Sequence, residues 1–153
     1  MRSLELRVPP LAVLLLAAAA MWLLARAFPF AALAFRTPYA LAGALLGLGA
    51  AISVAGVIAF RRARTTVNPM DPAASTAIVS RGVYGFTRNP MYLGFLFALC
   101  GWALLVGHLL AVPVIAAFVA YMTRFQIVPE ERALRAKFGP PYEDYLRRVR
   151  RWI

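Results

Sequence analysis

The sequence predicts an all-α integral membrane protein: four transmembrane helices, a cytoplasmic loop and C-terminal interfacial helices. Three observations predict it. Of 153 residues 62% are hydrophobic and only 15% charged, whereas a water-soluble domain carries about 45–50% apolar and about 25% charged residues. Four long apolar stretches are separated by the charges. The net charge of +11 is distributed unevenly among the connections between them.

The spans fall at about 8–25, 39–60, 90–107 and 108–128, with a cytoplasmic cap over 129–153, and together they make one domain covering residues 1–153. At about 1.5 Å per residue each stretch crosses most or all of a roughly 30 Å hydrocarbon core. In lipid, backbone amides must be satisfied within the segment, so these stretches are helices. The first run follows Arg2 and Arg7 and precedes Ala32-Leu33-Ala34, which imitates a cleaved signal peptide; it is long for one and reads as a retained helix. The second span carries Gly43, Gly47 and Gly56 with Ala40, Ala44 and Ala51, small residues for close helix packing. The fourth is short and contains Pro113, which predicts a tilt, a kink or an extension through Phe125 to Val128.

Four spans put both termini and the 61–89 connection on one side. Fifteen basic residues lie there, against Arg26 and Arg36 on the other. The positive-inside rule makes the rich side cytoplasmic. This fits the plasma membrane of a prokaryote. All six acids share that side. The basic excess is thus a topology signal and an affinity for anionic membrane lipids rather than a nucleic-acid footprint. One cysteine and one histidine form neither a disulfide nor a familiar zinc site, so no metal is expected. Cys100 reads as a packing residue, and His108, in the turn between spans three and four, as an interfacial hydrogen-bonding group.

Two polar segments remain. Residues 61–89 contain Asn68-Pro69 and Asp71-Pro72, which predict an ordered, folded-back loop. Asn89 stands where a helix cap would, with Pro90 at the first helical position. Tyr84, Phe86 and Tyr92 interleave with Arg81 and Arg88; an aromatic belt with snorkelling arginines explains this as well as a binding site does. The second segment predicts a short helix starting at Pro129, with Glu130 and Glu131 in its first turn and Gly139 ending it. Glu131 and Arg135 are spaced to pair; Glu130, Leu134 and Phe138 form another stripe, on which Glu130 wants a cation such as Arg88, Arg124 or a ligand. A further helix from Pro141 repeats Tyr142, Tyr145, Leu146, Val149 and Ile153 and is expected in the membrane interface, with Trp152 among the headgroups.

Gly82-Val83-Tyr84-x-x-x-Arg88-Asn89-Pro90-Met91-Tyr92, followed by Pro129-Glu130-Glu131-Arg132-x-Leu134-x-x-x-Phe138-Gly139-x-x-Tyr142-x-x-Tyr145, resembles the isoprenylcysteine carboxyl methyltransferase family. These are phospholipid methyltransferase-like integral membrane enzymes that use S-adenosylmethionine. The resemblance covers about residues 61–153 and implies methyl transfer to a lipophilic or small-molecule acceptor at the cytoplasmic face. It implies a cofactor pocket built by Thr76, Ala77, Ile78, Val79, Tyr84, Asn89, Pro90, Met91, Tyr92 and Glu130. Catalytic roles are expected for Arg88, Glu131 and Arg124. Asn89 replaces a frequent family histidine, and Gln126 falls where eukaryotic members have a substrate-facing arginine, for which Arg124 is the expected substitute.

The chemistry suits such residues. A carboxylate and aromatic faces hold the cationic parts of S-adenosylmethionine, and an arginine its carboxylate. In-line methyl displacement requires alignment and no metal. A nicotinamide-dependent membrane reductase shares the Arg-x-Pro-x-Tyr step and is the enzyme alternative. A small four-helix exporter is the other, weakened because no span contains an acid.

Overall fold

A computed structural model describes residues 5–33, 37–66, 68 and 70–153. Arg2 and Arg36 of the charge count, Ala34 of the signal-like tripeptide and Pro69 of the Asn-Pro step lie outside the described residues. Six α-helices follow in order: α1 (Pro10–Ala27), α2 (Tyr39–Arg62), α3 (Pro90–Val106), α4 (Ala111–Tyr121), α5 (Val128–Phe138) and α6 (Pro140–Arg148). No β-strand occurs among the described residues; one isolated bridge joins Ala32 to His108.

Among the described residues three helical stretches are long and apolar enough to cross a membrane: Pro10–Ala27, Tyr39–Arg62 and the continuous run Ala111–Phe138. The apolar α3 has 17 residues and is shorter. Leu15, Leu16, Trp22, Leu23, Leu41, Val54 and Val112 point outward from these helices, an apolar surface suited to lipid.

α3 is the central element, flanked by α2 on one side and by α1 and α4 on the other. Its seam with α2 is made of small residues, but the set differs from the sequence expectation. Gly43 and Gly47 face open space. Gly56 packs against Pro90 and Met91 as expected, and the other contacts are Gly49 against Gly94 and Ala42 against Gly101. A Cβ on Gly49 would stand 2.5 Å from the Gly94 carbonyl, and one on Gly101 2.8 Å from that of Ala42. Positions 42, 49 and 56 recur every seven residues, the repeat that keeps one helix face on its neighbour. That period, and not the local density of glycine, selects the packing face. Ser53 adds a hydrogen bond to the Met91 carbonyl, 3.2 Å, within the seam.

On the other flank Met21, Leu99, Ala111, Phe118, Met122 and Ile127 close a core with Tyr92. Trp102 donates its indole N–H to the Ala18 carbonyl at 3.0 Å, pinning α3 to α1. At the end of the bundle remote from Tyr92, Gly107 turns the chain at φ +62°. The neighbouring His108 is buried; Leu110 N–H donates to its Nδ1 and its Nε2 contacts the Phe28 carbonyl at 2.9 Å. With Nδ1 accepting, Nε2 carries the proton and donates. His108 is therefore a structural rivet between two connections.

The α4–α5 passage departs from the expected break at Pro129. The helix runs on through a π-helical stretch, Met122–Ile127, straight into α5. Proline at 129 has no N–H for the Phe125 carbonyl four residues earlier. That carbonyl is satisfied from outside: Leu6 N–H donates to it at 3.0 Å. Pro113 sits in the first turn of α4, where its missing donor costs nothing, and of the three expectations for this span the extension through Phe125 to Val128 is the one the helix shows.

Candidate active site

The site forms where α3 begins, α5 passes, and the 61–89 loop and the C-terminal segment close over both. The loop folds back on the end of α2: Thr76 N–H donates to Thr65 Oγ1 (2.8 Å), and Thr76 Oγ1 donates to the Arg64 carbonyl (3.2 Å). Arg64 makes this reversal at φ +51°. From there residues 77–79 run along one wall, and the short 3-10 turn Gly82–Gly85 brings Tyr84 inward. Tyr84 is buried, edge-on to Phe60 at 5.2 Å between ring centroids.

The cavity opens to solvent and holds about 790 Å³ when the space of its open mouth is counted. Of the residues singled out from the sequence, Ala77, Ile78, Val79, Tyr84, Arg88, Asn89, Met91, Tyr92, Glu130 and Glu131 line it. Pro90 is buried behind it against Gly56. Thr76 serves as the loop clasp just described, beside the lining residues. Arg124 is not among the lining residues; its guanidinium pairs with Glu5 at 3.0 Å.

The two acids of α5 have opposite surroundings. Tyr92 OH donates to Glu130 Oε1 at 2.6 Å and the Gln126 amide donates to the same oxygen at 2.8 Å. No ion pair to Glu130 occurs among the described residues. Gln126, itself buried, thus orients a carboxylate. Glu131 instead holds two cations. It accepts from Arg151 Nε (3.1 Å) and Nη2 (2.7 Å), a bidentate pair, and lies 3.3 Å from Arg88. The expected Glu131–Arg135 pair does not form, because Arg135 turns toward Glu143 at 3.9 Å. Arg88 is nearly buried, and its Nε has no hydrogen-bond partner among the described residues. Such a donor is costly unless something accepts from it.

The C-terminal residues lock this arrangement. α6 stops at Arg148 rather than continuing to Ile153, and the chain turns extended at Val149. Arg88 N–H donates to the Arg150 carbonyl (3.0 Å), and the Asn89 side-chain amide donates to that of Arg151 (2.9 Å). Asn89 is at the N-terminal boundary of α3 but makes no side-chain cap bond; its amide is drawn to the tail instead. Trp152 donates to Thr123 Oγ1 at 3.2 Å, which sets it against the stretch between α4 and α5. Tyr142, Tyr145 and Val149 pack on Ile78, Leu134 and Phe138, so the aromatic face of α6 covers the cavity instead of lying in the membrane interface. Tyr145 OH donates to the Tyr84 carbonyl at 2.9 Å. Burial pushes the hydroxyls of Tyr84, Tyr142 and Tyr145 well up from their ordinary range, keeping them neutral donors.

Sequence reasoning missed Phe60, Thr66, Asn68, Pro72 and Ser75 in the lining. Phe60 comes from the last turns of α2, the other four approach because the loop folds back, and no local pattern marks any of them. The stripe Glu130, Leu134 and Phe138 was a usable signal, and all three face the cavity.

Residues 37–140 match the model of the phospholipid methyltransferase family, more than half of the chain. An uncharacterized protein of Haemophilus influenzae is 41% identical over 63 residues, 41% of this chain and the whole of that protein. Methanethiol S-methyltransferase 2 of Bradyrhizobium diazoefficiens is 41% identical over 70 residues, 44% of this chain and 25% of that enzyme. Protein-S-isoprenylcysteine O-methyltransferase of Schizosaccharomyces pombe is 29% identical over 72 residues, 47% of this chain and 30% of that enzyme. The chain thus matches less than a third of the length of either named methyltransferase. With its apolar helices, its paired motifs and these relatives, the chain belongs to the phospholipid methyltransferase family of membrane proteins and resembles the isoprenylcysteine carboxyl methyltransferases within it.

Proposed function

We propose that this protein transfers a methyl group from S-adenosylmethionine to a lipophilic or small acceptor at the cytoplasmic face of the membrane. One observation carries the reading: a single cavity combines an aromatic wall, a carboxylate held by neutral partners, and a nearly buried arginine with a donor left over. These features fit a ligand with a sulfonium, an ammonium, a carboxylate and an aromatic base. Arg88, oriented by Glu131, would hold the ligand carboxylate through its unused N–H. Glu130 and the faces of Tyr84 and Tyr92 would hold the cationic groups. The wall at Ala77, Ile78 and Val79 offers backbone and apolar contact to the base.

When bound, the cofactor supplies a methyl group already activated for displacement. The protein's part is alignment and exclusion of water. Tyr142, Tyr145 and the tail cover the cavity from one side. Tyr92, with Phe95 at 6.4 Å between ring centroids, and Tyr121 mark the side from which an acceptor would approach out of the bilayer. The four helical stretches would then all span, with both termini cytoplasmic, because the arginine-rich connections and the cavity lie at the same end.

Calorimetric titration of S-adenosylmethionine into detergent-purified protein tests the pocket. Glu130→Ala and Tyr92→Ala should each weaken binding at least tenfold, as about 1.4 kcal/mol is tenfold and a charge-assisted bond contributes about 1.5–3 kcal/mol. Unchanged affinity in both variants would show that the cofactor binds elsewhere.

A further inference from the structure

The π-helical stretch between α4 and α5 carries Gln126 and leads directly to Glu130. One residue more in a helical turn rotates everything after it by about 100° relative to an unbroken α-helix. Whether Glu130 meets Tyr92 therefore depends on the stretch keeping its π geometry. Three contacts from residues 5 and 6 clasp this stretch from outside. Leu6 N–H donates at 3.0 Å to the Phe125 carbonyl, to which Pro129 has no N–H to offer. Glu5 Oε1 accepts from Arg124 at 3.0 Å, and Glu5 Oε2 accepts from Arg132 at 3.1 Å. Arg124 lies inside the π stretch and Arg132 beyond it, so one carboxylate bridges the junction. Reversion to a continuous α-helix would swing Arg132 away from Arg124 and break the bridge.

We infer that residues 5 and 6 are a positioning strap: Glu5 holds the α4–α5 junction in the register that points Glu130 into the cavity. Glu5 acts through Arg124 and Arg132, and Leu6 through the backbone at Phe125. The inference rests on the proposed cofactor pocket and concerns how that pocket is held in shape.

The test uses the full chain in detergent with Glu5→Gln, Glu130→Gln and the double variant, each titrated with S-adenosylmethionine. Glu5→Gln should weaken binding about fivefold, the scale set by loss of two partly exposed ion pairs. In the Glu130→Gln background it should add nothing, because the group it positions is already altered. Hydrogen exchange should quicken at residues 122–130 and nowhere else in the bundle. If Glu130→Gln leaves affinity unchanged, the pocket reading fails and the strap falls with it. If Glu130→Gln weakens binding while Glu5→Gln does not, or Glu5→Gln costs the same in both backgrounds, the strap alone is overturned. Should Glu5→Gln not fold, Arg132→Gln keeps the Leu6–Phe125 bond and must show the same non-additivity.

Discussion

Replacing Glu131 by glutamine removes the charge that holds two arginines together at the cavity wall. Arg88 and Glu131 are 13% and 12% exposed, and Arg151 36%. Removing one partner of a buried ion pair costs about 3–5 kcal/mol, since the other charge is left uncompensated. Glutamine keeps one acceptor oxygen, and Arg151 is wet enough to recover hydration, so the lower end applies, about 3 kcal/mol. For a chain of this size each kcal/mol moves the unfolding midpoint by about 2–4 °C, so Glu131→Gln should lower it by about 6–12 °C. Thermal unfolding of the detergent-solubilised protein measures this. Glu143→Gln is the control: its pair with Arg135 is 3.9 Å long and about half exposed on both sides, and should shift the midpoint by at most about 2 °C. Equal shifts for the two variants would refute the claim that Glu131 anchors the site.

Gly49→Ala should destabilise by about 1–3 kcal/mol through collision with the Gly94 carbonyl, while Gly43→Ala, facing open space, should be neutral or stabilising by up to about 1 kcal/mol; chemical unfolding separates them. Trp102→Phe removes the bond to Ala18 and should cost about 1 kcal/mol in the same assay. Arg124, and after it Arg132, hold the Glu5 carboxyl below its ordinary range against a smaller opposing effect of burial. A lowered folded value means stability that is present above the unfolded pKa and lost as pH falls through the folded one. Acidification from pH 6 to pH 3, the range of about 4 where a free glutamate titrates, should lower the wild-type midpoint more than that of Glu5→Gln.

Helix identity and the paired motifs could be read in the sequence because both are local. Apolar runs separated by arginines announce the helices, and Pro90 and Gly139 mark true boundaries. What could not be read depends on tertiary partners. Pro129 reads as a helix start, yet α4 runs through it because Leu6 supplies the missing hydrogen bond. Glu131 reads as the partner of Arg135, yet the tail brings Arg151 to it from a separate element. Tyr142 and Tyr145 read as interfacial because an amphipathic helix does not disclose which apolar surface it covers. Of the cavity, the motif residues from Ala77 to Glu131 stood out, whereas Phe60 at the end of α2 and Thr66, Asn68, Pro72 and Ser75 in the first part of the loop did not.

The central claim is that the cavity lined by Arg88, Tyr92 and Glu130 accepts S-adenosylmethionine. Equilibrium binding of radiolabelled S-adenosylmethionine to the detergent-purified protein tests it most directly, with reduced nicotinamide dinucleotide phosphate as the competing cofactor. The expected result is saturable S-adenosylmethionine binding that excess nicotinamide does not displace and that Glu130→Ala weakens at least tenfold. Saturable nicotinamide binding without S-adenosylmethionine binding would contradict it.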